Sequence, residues 1–139
     1  MYTHTLKVRF RDLDALNHVN NAVYLTYLEE TRIAMMDAIG VSRLMTREKS
    51  WILARSEIDY RLPAVMGDVL RIEVHPGEIR NSSFDLRYRI VRDADGRLIA
   101  EARSVQVCYD YVHGHPTRVP NEWRERLLAV DAPPATVEP

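Results

Sequence analysis

The chain has 139 residues, a length typical of one domain with one hydrophobic core. Its formal net charge of −1 excludes a broad electrostatic attraction to nucleic acid or an anionic membrane. No apolar run approaches the ~20 residues of a membrane span, and no signal-like segment precedes the first strand pattern. With Cys108 as the single cysteine, these features predict a cytoplasmic protein with no nucleic-acid partner and no membrane span.

The first predicted element is a strand that ends in a loop rich in Asp and Asn. Leu6, Val8 and Phe10 alternate with basic residues, and this period of two is typical of a strand with one solvent-facing side. The alternation stops at Arg11. Residues 12–21 then carry two aspartates, three asparagines and one histidine. These side chains bond to nearby backbone, so they favour a loop and the start of a helix.

A long helix is predicted next, from about Asn21 to Ile39. This segment contains no Gly or Pro, and either Asn20 or Asn21 is positioned to cap its N-terminus. Gly40 stands where a C-terminal cap belongs. The apolar residues cover more than one stripe, so we expect the helix to be largely enclosed.

The remainder predicts four strands and a short terminal helix. The strands cover Trp51–Leu62, Asp68–Ile79, Phe84–Val91 and Leu98 to about Tyr111. Asn121 caps the terminal helix, which extends to Val130, and residues 131–139 are expected to be disordered. Consecutive strands joined by short turns imply an antiparallel sheet. The chain is therefore predicted to be a single α+β domain over residues 1–130, with about five strands wrapped around one long helix.

The loop before the long helix is the candidate for chemistry. A helix N-terminus offers unpaired backbone N–H groups and a partial positive charge, which suit an oxygen that gains negative charge during attack on a carbonyl. A carboxylate beside it can attack the carbonyl carbon or deprotonate a water molecule. The alternative is purely structural, because Asp and Asn are common cap and turn residues and the histidine can be an ordinary loop residue.

The stretch Asp14-Ala15-Leu16-Asn17-His18-Val19-Asn20-Asn21-Ala22-Val23-Tyr24 resembles the signature of the 4-hydroxybenzoyl-CoA thioesterase family of hotdog proteins. Its His-Val-Asn-Asn portion also resembles the acyl-ACP thioesterases of plants. The later segments Tyr60-Arg61-Leu62-Pro63, Gly67-Asp68 and Arg80-Asn81-Ser82-Ser83-Phe84 agree with the family. The resemblance implies a hotdog fold and hydrolysis of an acyl-CoA or acyl-carrier thioester. It also implies a homodimer or homotetramer, with no metal and no cofactor other than the CoA of the substrate.

The resemblance places the family's catalytic aspartate on Asp14, which would act as nucleophile or as general base. The backbone amide that polarises the thioester carbonyl falls near Asn21, with Asn20 and Ala22 as its neighbours. His18 corresponds to the histidine of the plant-type motif, which orients water or the aspartate. The plant motif has an asparagine where this chain has Leu16, so that network is altered here.

Further residues are implied to contact the substrate. Asn17 stands next to the position of the plant-type asparagine, and Asn20 and Tyr24 complete the motif around the helix start. Glu29 corresponds to a carboxylate that meets the polar end of the acyl group, although a solvated or paired helix face is the favoured explanation. Arg80, Ser82 and Ser83 form a turn that either meets the phosphates of CoA or is an ordinary polar hairpin.

Two rival functions use the same scaffold. A hydratase or dehydratase of acyl thioesters pairs a histidine with a carboxylate on or near the helix, and a non-catalytic module binds the thioester without releasing a thiol. Glu30 is a rival to Asp14, because another hotdog subgroup carries its catalytic carboxylate on the helix. His113 and His115 lack the partners of a metal site, and Cys108 is predicted to be a buried hydrophobic residue.

Overall fold

An antiparallel sheet of five long strands forms the frame of the molecule, and two helices accompany it. The computed structural model describes residues 1–130, so the predicted disorder of 131–139 lies outside the described residues. The long strands are β1 (Tyr2–Lys7), β2 (Ser50–Tyr60), β3 (Val69–Ile79), β4 (Ser83–Arg92) and β5 (Leu98–Asp110), followed by a short β6 (His115–Pro116). The helices are α1 (Asn21–Ala38) and α2 (Asn121–Leu128).

The strand order is β1-β3-β4-β5-β2, and β6 pairs with the end of β5. Every neighbouring pair is antiparallel. β1 and β2 are therefore the two edges of this path. The β2–β5 register slips between Leu53 and Arg55, which marks a bulge where the edge strand bends.

The core lies between α1 and one face of the sheet. Alternate residues of the central strands point to this face, and all of the following are fully buried: Leu70, Ile72, Val74, Phe84, Leu86 and Ile90. From α1, Leu28, Met35 and Met36 pack against them. Neither helix of residues 1–130 has the length and hydropathy needed to cross a membrane.

The prediction that α1 is largely enclosed is wrong for the single chain. Leu25 of α1 is 42% exposed and Ile33 is 49% exposed. The sheet covers only one side of α1, and α1 contacts mainly β1 and β3. An apolar stripe of the helix and the inner side of β2 are thus left uncovered.

Two predicted boundaries also need correction. β1 ends at Lys7, and Phe10 starts a short 3-10 turn with its side chain 79% exposed. Val8 leaves the strand ladder because its backbone bonds instead to Asp68 and Gly67 in the β2–β3 connection. In α2, Asn121 is the first helical residue, and Pro120 occupies the cap position without a side-chain hydrogen bond.

The C-terminus of α1 is closed by Gly40 and by α2. Gly40 has a φ of 82°, in the left-handed region that favours glycine. Arg126 of α2 donates from Nη1 to the carbonyl oxygen of Ile39 at 2.9 Å. A Cβ atom on Gly40 would lie 2.6 Å from that same Nη1 atom.

We predict that Gly40→Ala lowers the free energy of unfolding more than Gly96→Ala does. Both glycines have a positive φ, but a Cβ on Gly96 meets nothing within 4 Å. The strain at either site costs about 1 kcal/mol. Only Gly40→Ala also displaces Arg126 from the end of α1, so chemical denaturation should separate the two variants. Equal losses would contradict this account of the helix end.

Candidate active site

The loop between β1 and α1 is a short hairpin tied to the rest of the fold. The carbonyl oxygen of Asp12 accepts a bond from the Asn20 backbone N–H at 2.9 Å, and the Asp14 N–H donates to the carbonyl of His18 at 2.8 Å. Asn17 makes the reversal with a φ of 62°, a conformation that Asn tolerates better than most residues. Val19 donates to the carbonyl oxygen of Ala64, which fixes the hairpin against the β2–β3 connection.

Asp14 is half-buried at the tip of this hairpin. Its Oδ1 atom accepts a hydrogen bond from the Leu16 backbone N–H at 2.8 Å, which fixes the orientation of the carboxylate. Its Oδ2 atom makes no hydrogen bond within residues 1–130. The carboxylate lines a cavity of about 380 Å³ with His18, Asn21 and Tyr24. One oxygen is thus held in place while the other stays available to a ligand.

The first amides of α1 differ in whether they are already engaged. The Asn20 N–H is bound to Asp12, and the Ala22 N–H donates to the Asn20 side chain at 2.9 Å, so Asn20 is the helix cap. The Val23 N–H donates to the carbonyl of Asn20. The Asn21 N–H alone among these four has no hydrogen-bond acceptor within the described chain. It is the natural donor for a ligand oxygen in the cavity.

Two tyrosines form the wall of the cavity opposite the loop. The Tyr60 hydroxyl donates to the carbonyl of Asn21 at 2.9 Å, and its ring meets Tyr24 edge-on at 5.3 Å. The Tyr24 hydroxyl accepts a bond from the Ala64 N–H at 3.2 Å. Burial raises the pKa of Tyr24, which keeps its hydroxyl neutral. Tyr60 was not predicted as a site residue, because its partner Asn21 is 39 positions away in the sequence.

Asp12 holds the loop against α1 through a buried hydrogen bond. It was also not predicted as a site residue. It is 3% exposed, and its Oδ2 atom accepts from the Arg9 N–H at 3.0 Å and from the Tyr27 hydroxyl at 2.8 Å. Burial alone would raise the pKa of Asp12, but the bonds from Arg9 and Tyr27 outweigh it and lower the pKa. The carboxylate therefore stays charged and joins the loop to α1. Its place in the Asp-rich stretch was the only sequence signal, since Tyr27 is not a local neighbour.

The predicted loop residues fall into two groups. His18, Asn21 and Tyr24 share the cavity with Asp14. The His18 ring makes no hydrogen bond to another group of residues 1–130, so the structure has no direct link from this ring to the Asp14 carboxylate. Asn17 and Asn20 are exposed and serve the backbone, the first at the reversal and the second as the cap.

Glu29 belongs to a different cavity. That space, of about 410 Å³, lies between β1 and α1 and is lined by Asp12 and Tyr27 among others. Glu30, the rival to Asp14, lines it too and lies 3.5 Å from Nε2 of His4. Within one chain, neither carboxylate shares the cavity that contains Asp14 and Asn21.

The turn with Arg80, Ser82 and Ser83 is at the other end of the sheet. Tyr60 pairs with Ala100 and Ser83 pairs with Val107, so seven residues of β5 separate the two ends, about 23 Å. Arg80 forms a two-bond ion pair with buried Asp85, at 2.8 and 3.1 Å. Burial tends to raise the pKa of Asp85, but Arg80 and Arg103 lower it.

The remaining candidates are accounted for by local contacts. Cys108 is buried at 1% exposure, and burial raises the pKa of its thiol to about 12, which opposes a role as nucleophile. His113 bonds through Nδ1 to Asp110 at 2.6 Å, in the turn after β5.

The structure combines a helix on a curled antiparallel sheet with a carboxylate beside the start of that helix. Comparison with known proteins identifies the family. A profile described as "Thioesterase-like superfamily" matches residues 8–127. The long-chain acyl-CoA thioesterase FadM of Escherichia coli K12 is 32% identical over 123 residues, 88% of this chain and 93% of FadM. The acyl-CoA thioester hydrolase YbgC of Escherichia coli O6:H1 is 28% identical, over 83% of this chain and 87% of YbgC.

Solved structures agree as well. The probable thioesterase YbaW from Escherichia coli superimposes with a TM-score of 0.82 at 32% identity, over 90% of this chain and 95% of YbaW. Slr0204 from Synechocystis, a 1,4-dihydroxy-2-naphthoyl-CoA thioesterase, shares the fold with a TM-score of 0.84 at 20% identity, over 95% of this chain and 98% of Slr0204. The chain belongs to the thioesterase-like superfamily and is a thioester hydrolase, so the predicted family and enzyme class are confirmed.

We predict that Asp12→Asn lowers the free energy of unfolding at neutral pH by about 1–3 kcal/mol, because the buried bond from Tyr27 and the part-buried bonds from Arg9 lose their charged acceptor. The folded pKa of Asp12 lies below its unfolded value, because the bonds from Arg9 and Tyr27 favour the charged form. Its stabilisation is therefore present above that value and is lost as the pH falls through the folded pKa. Denaturation from neutral to acid pH should give a flatter profile for Asp12→Asn than for the wild type.

Asp93→Asn is the matched control, because Asp93 is an exposed carboxylate with an ion pair to Arg71 at 2.9 Å. It should cost little at any pH. If Asp12→Asn and Asp93→Asn had the same small effect, Asp12 would not be the support of the loop.

Proposed function

We propose that the chain hydrolyses acyl-CoA thioesters to a carboxylic acid and free CoA in the cavity between the Asp14 hairpin and α1. One observation carries the proposal: the Asp14 carboxylate, with an unengaged Oδ2 atom, shares a cavity with Asn21, whose backbone N–H is equally unengaged. The names of FadM and YbgC support CoA as the thiol. No cofactor other than the CoA of the substrate is needed.

Asp14 and Asn21 divide the chemistry between them. The thioester oxygen accepts a hydrogen bond from the Asn21 N–H, and the positive end of α1 stabilises the charge that develops on it. Asp14 either attacks the carbonyl carbon, forming an anhydride that water then opens, or removes a proton from the attacking water. In both routes the C–S bond breaks, CoA leaves as a thiolate that takes a proton, and water supplies the new oxygen. His18, at the cavity wall, orients the water.

The site is completed by a second copy of the chain. β2 is an unpaired edge of 11 residues, and an edge of this length favours pairing with another strand. Leu53 is 47% exposed on that strand, and Leu25 and Ile33 are exposed on α1. A homodimer, alone or within a homotetramer, covers these surfaces and makes α1 the central helix that the sheet encloses.

The two-chain site also explains the separation of the predicted contacts. Arg80, Ser82 and Ser83 lie about 23 Å from the cavity along the sheet of their own chain. We assign their contact with the CoA phosphates to the neighbouring chain's site. Asn17, Asn20 and Tyr24 shape the thioester end, whereas Glu29 lines the other cavity and is assigned no contact with the substrate. The unpaired, buried Cys108 is compatible with the cytoplasm as the place of action.

Asp14→Asn should lower kcat at least ~100-fold, the effect of losing a positioned acid–base or nucleophilic group. Asn keeps an oxygen that accepts from the Leu16 N–H, so the hairpin stays intact while the charge is removed. The measurement is thiol release from short, long and aromatic acyl-CoAs, with folding checked by circular dichroism.

Asp37→Asn, at an exposed position near the end of α1, serves as the control and should keep wild-type turnover. Glu30→Gln tests the rival carboxylate and should also remain active. A folded Asp14→Asn protein with near-normal turnover would overturn the assignment, and an inactive Glu30→Gln would move it to the helix. Saturable binding without released thiol from the wild type would favour a binding module.

Light scattering should give the mass of a dimer or tetramer for the wild type, and Leu53→Glu should shift it towards the monomer with loss of activity. A charge at this edge opposes strand pairing between chains. Leu128→Glu is the matched control, because Leu128 is 70% exposed and lies on α2, outside the β2 edge. A monomeric and fully active wild type would rule out the shared site.

A further inference from the structure

Arg32 is a buried cation that has no carboxylate partner among residues 1–130. It is 5% exposed, on the side of α1 that faces the sheet, and it forms no ion pair within residues 1–130. Its one hydrogen bond goes from Nη1 to the Tyr88 hydroxyl at 3.2 Å. A buried charge is costly unless it is paired, so an unpaired guanidinium indicates an anion that the chain itself does not supply.

The polar groups around Arg32 form an interior network that is also incomplete. The Tyr88 hydroxyl and the Ser104 hydroxyl lie 2.7 Å apart, and Gln106 donates from Nε2 to Ser104 at 2.6 Å. All three side chains are buried in the sheet face under α1. The Gln106 Oε1 atom is buried without a partner in the described chain. Arg32 carries the one formal charge of this network.

Arg32 lies on the same stripe of α1 as the proposed site. Asn21, Leu25, Leu28 and Arg32 are spaced by four, three and four residues, which places them on one side of a helix. Arg32 is eleven residues from Asn21, about 16 Å along the helix axis. An apolar stretch, Leu25 and Leu28, separates the cavity from the cation.

Along β2 and β5, the residues on the inner face follow the same sequence of polar and apolar groups as the stripe of α1. Tyr60, Ile58 and Ser56 of β2 face Ala100, Ala102 and Ser104 of β5, pair by pair. These pairs therefore lead from the cavity wall at Tyr60, past the apolar pair of Ile58 and Ala102, to the network at Ser104. Ser104 is about 13 Å from Ala100 along β5. Ser56 is exposed and Ile58 is half-buried, so this part of the inner face is open.

We propose that the groove between α1 and β2 accepts acyl chains whose far end carries a carboxylate, and that Arg32 binds this group. The substrate class is then the mono-CoA thioester of a dicarboxylic acid, with the two ends about 13–16 Å apart. The inference rests on the proposed function, because it takes the thioester to lie at Asp14 and Asn21. Arg32 acts as a specificity-determining residue at the opposite end of the groove.

The test compares two series of acyl-CoAs of equal chain length, one ending in a methyl group and one in a carboxylate. At the chain length that spans the groove, the wild type should favour the carboxylate by roughly tenfold or more in kcat/KM, as expected for a hydrogen bond to a charged group. Arg32→Met, which keeps the length of the side chain, should remove this preference and leave hydrolysis of methyl-ended chains intact. Arg89→Met, on the outer face of the sheet, should behave like the wild type.

The two proposals fail in different ways. Hydrolysis of methyl-ended chains without any carboxylate preference in the wild type overturns the role of Arg32 alone, and this result needs no folded variant. An unchanged preference in Arg32→Met overturns it as well. No thiol release from either series overturns the proposed function and this inference together.

Discussion

The hydrogen bonds of the hairpin between β1 and α1 are the constraint on which the site depends. They hold Asp14 next to the first turn of α1 and occupy every early amide of the helix except that of Asn21. The buried Asp12 carboxylate secures this arrangement from α1 through Tyr27, and the Ala64 carbonyl secures it from the sheet side. Without both attachments, Asp14 and the Asn21 amide would not be held in one cavity.

Much of the fold was predictable because its sequence signals are local. Period-two alternation, the Asp- and Asn-rich loop and the Gly40 stop are local signals, and the elements they predict are present with ends displaced by a few residues. The protein family and the enzyme class were predicted from a motif that is contiguous in sequence. The error at Phe10 has a tertiary cause, because the Val8 backbone bonds to the β2–β3 connection instead of extending the ladder.

The parts of the site that escaped prediction depend on contacts between distant residues. Tyr60 reaches Asn21 across 39 positions, Tyr27 reaches Asp12 across 15, and Arg32 reaches Tyr88 across 56. The hydrophobic periodicity of a sequence does not reveal contacts between such distant residues. The exposed side of α1 was misjudged for a related reason: an apolar helix circumference does not say whether its own sheet or a second chain covers it.

The two faces of the sheet have different characters, and this difference bears on assembly. The outer face carries interleaved ion pairs, such as Arg103 with Glu57 and Arg89 with Glu73, which are typical of a solvated surface. The inner face under α1 is apolar apart from the network of Tyr88, Ser104 and Gln106, and it is open near β2. The uncovered apolar surface therefore lies beside the groove, where a second chain would enclose the substrate.

The central claim is that the Asn21 amide receives the thioester oxygen while Asp14 faces the carbonyl carbon. A crystal structure with a CoA analogue whose scissile sulfur is replaced by a methylene group tests it most directly. The account predicts the ketone oxygen within about 2.7–3.1 Å of the Asn21 nitrogen, with the Asp14 carboxylate against the carbonyl carbon. A ketone bound instead beside Glu29 and Glu30, remote from Asn21, would contradict it.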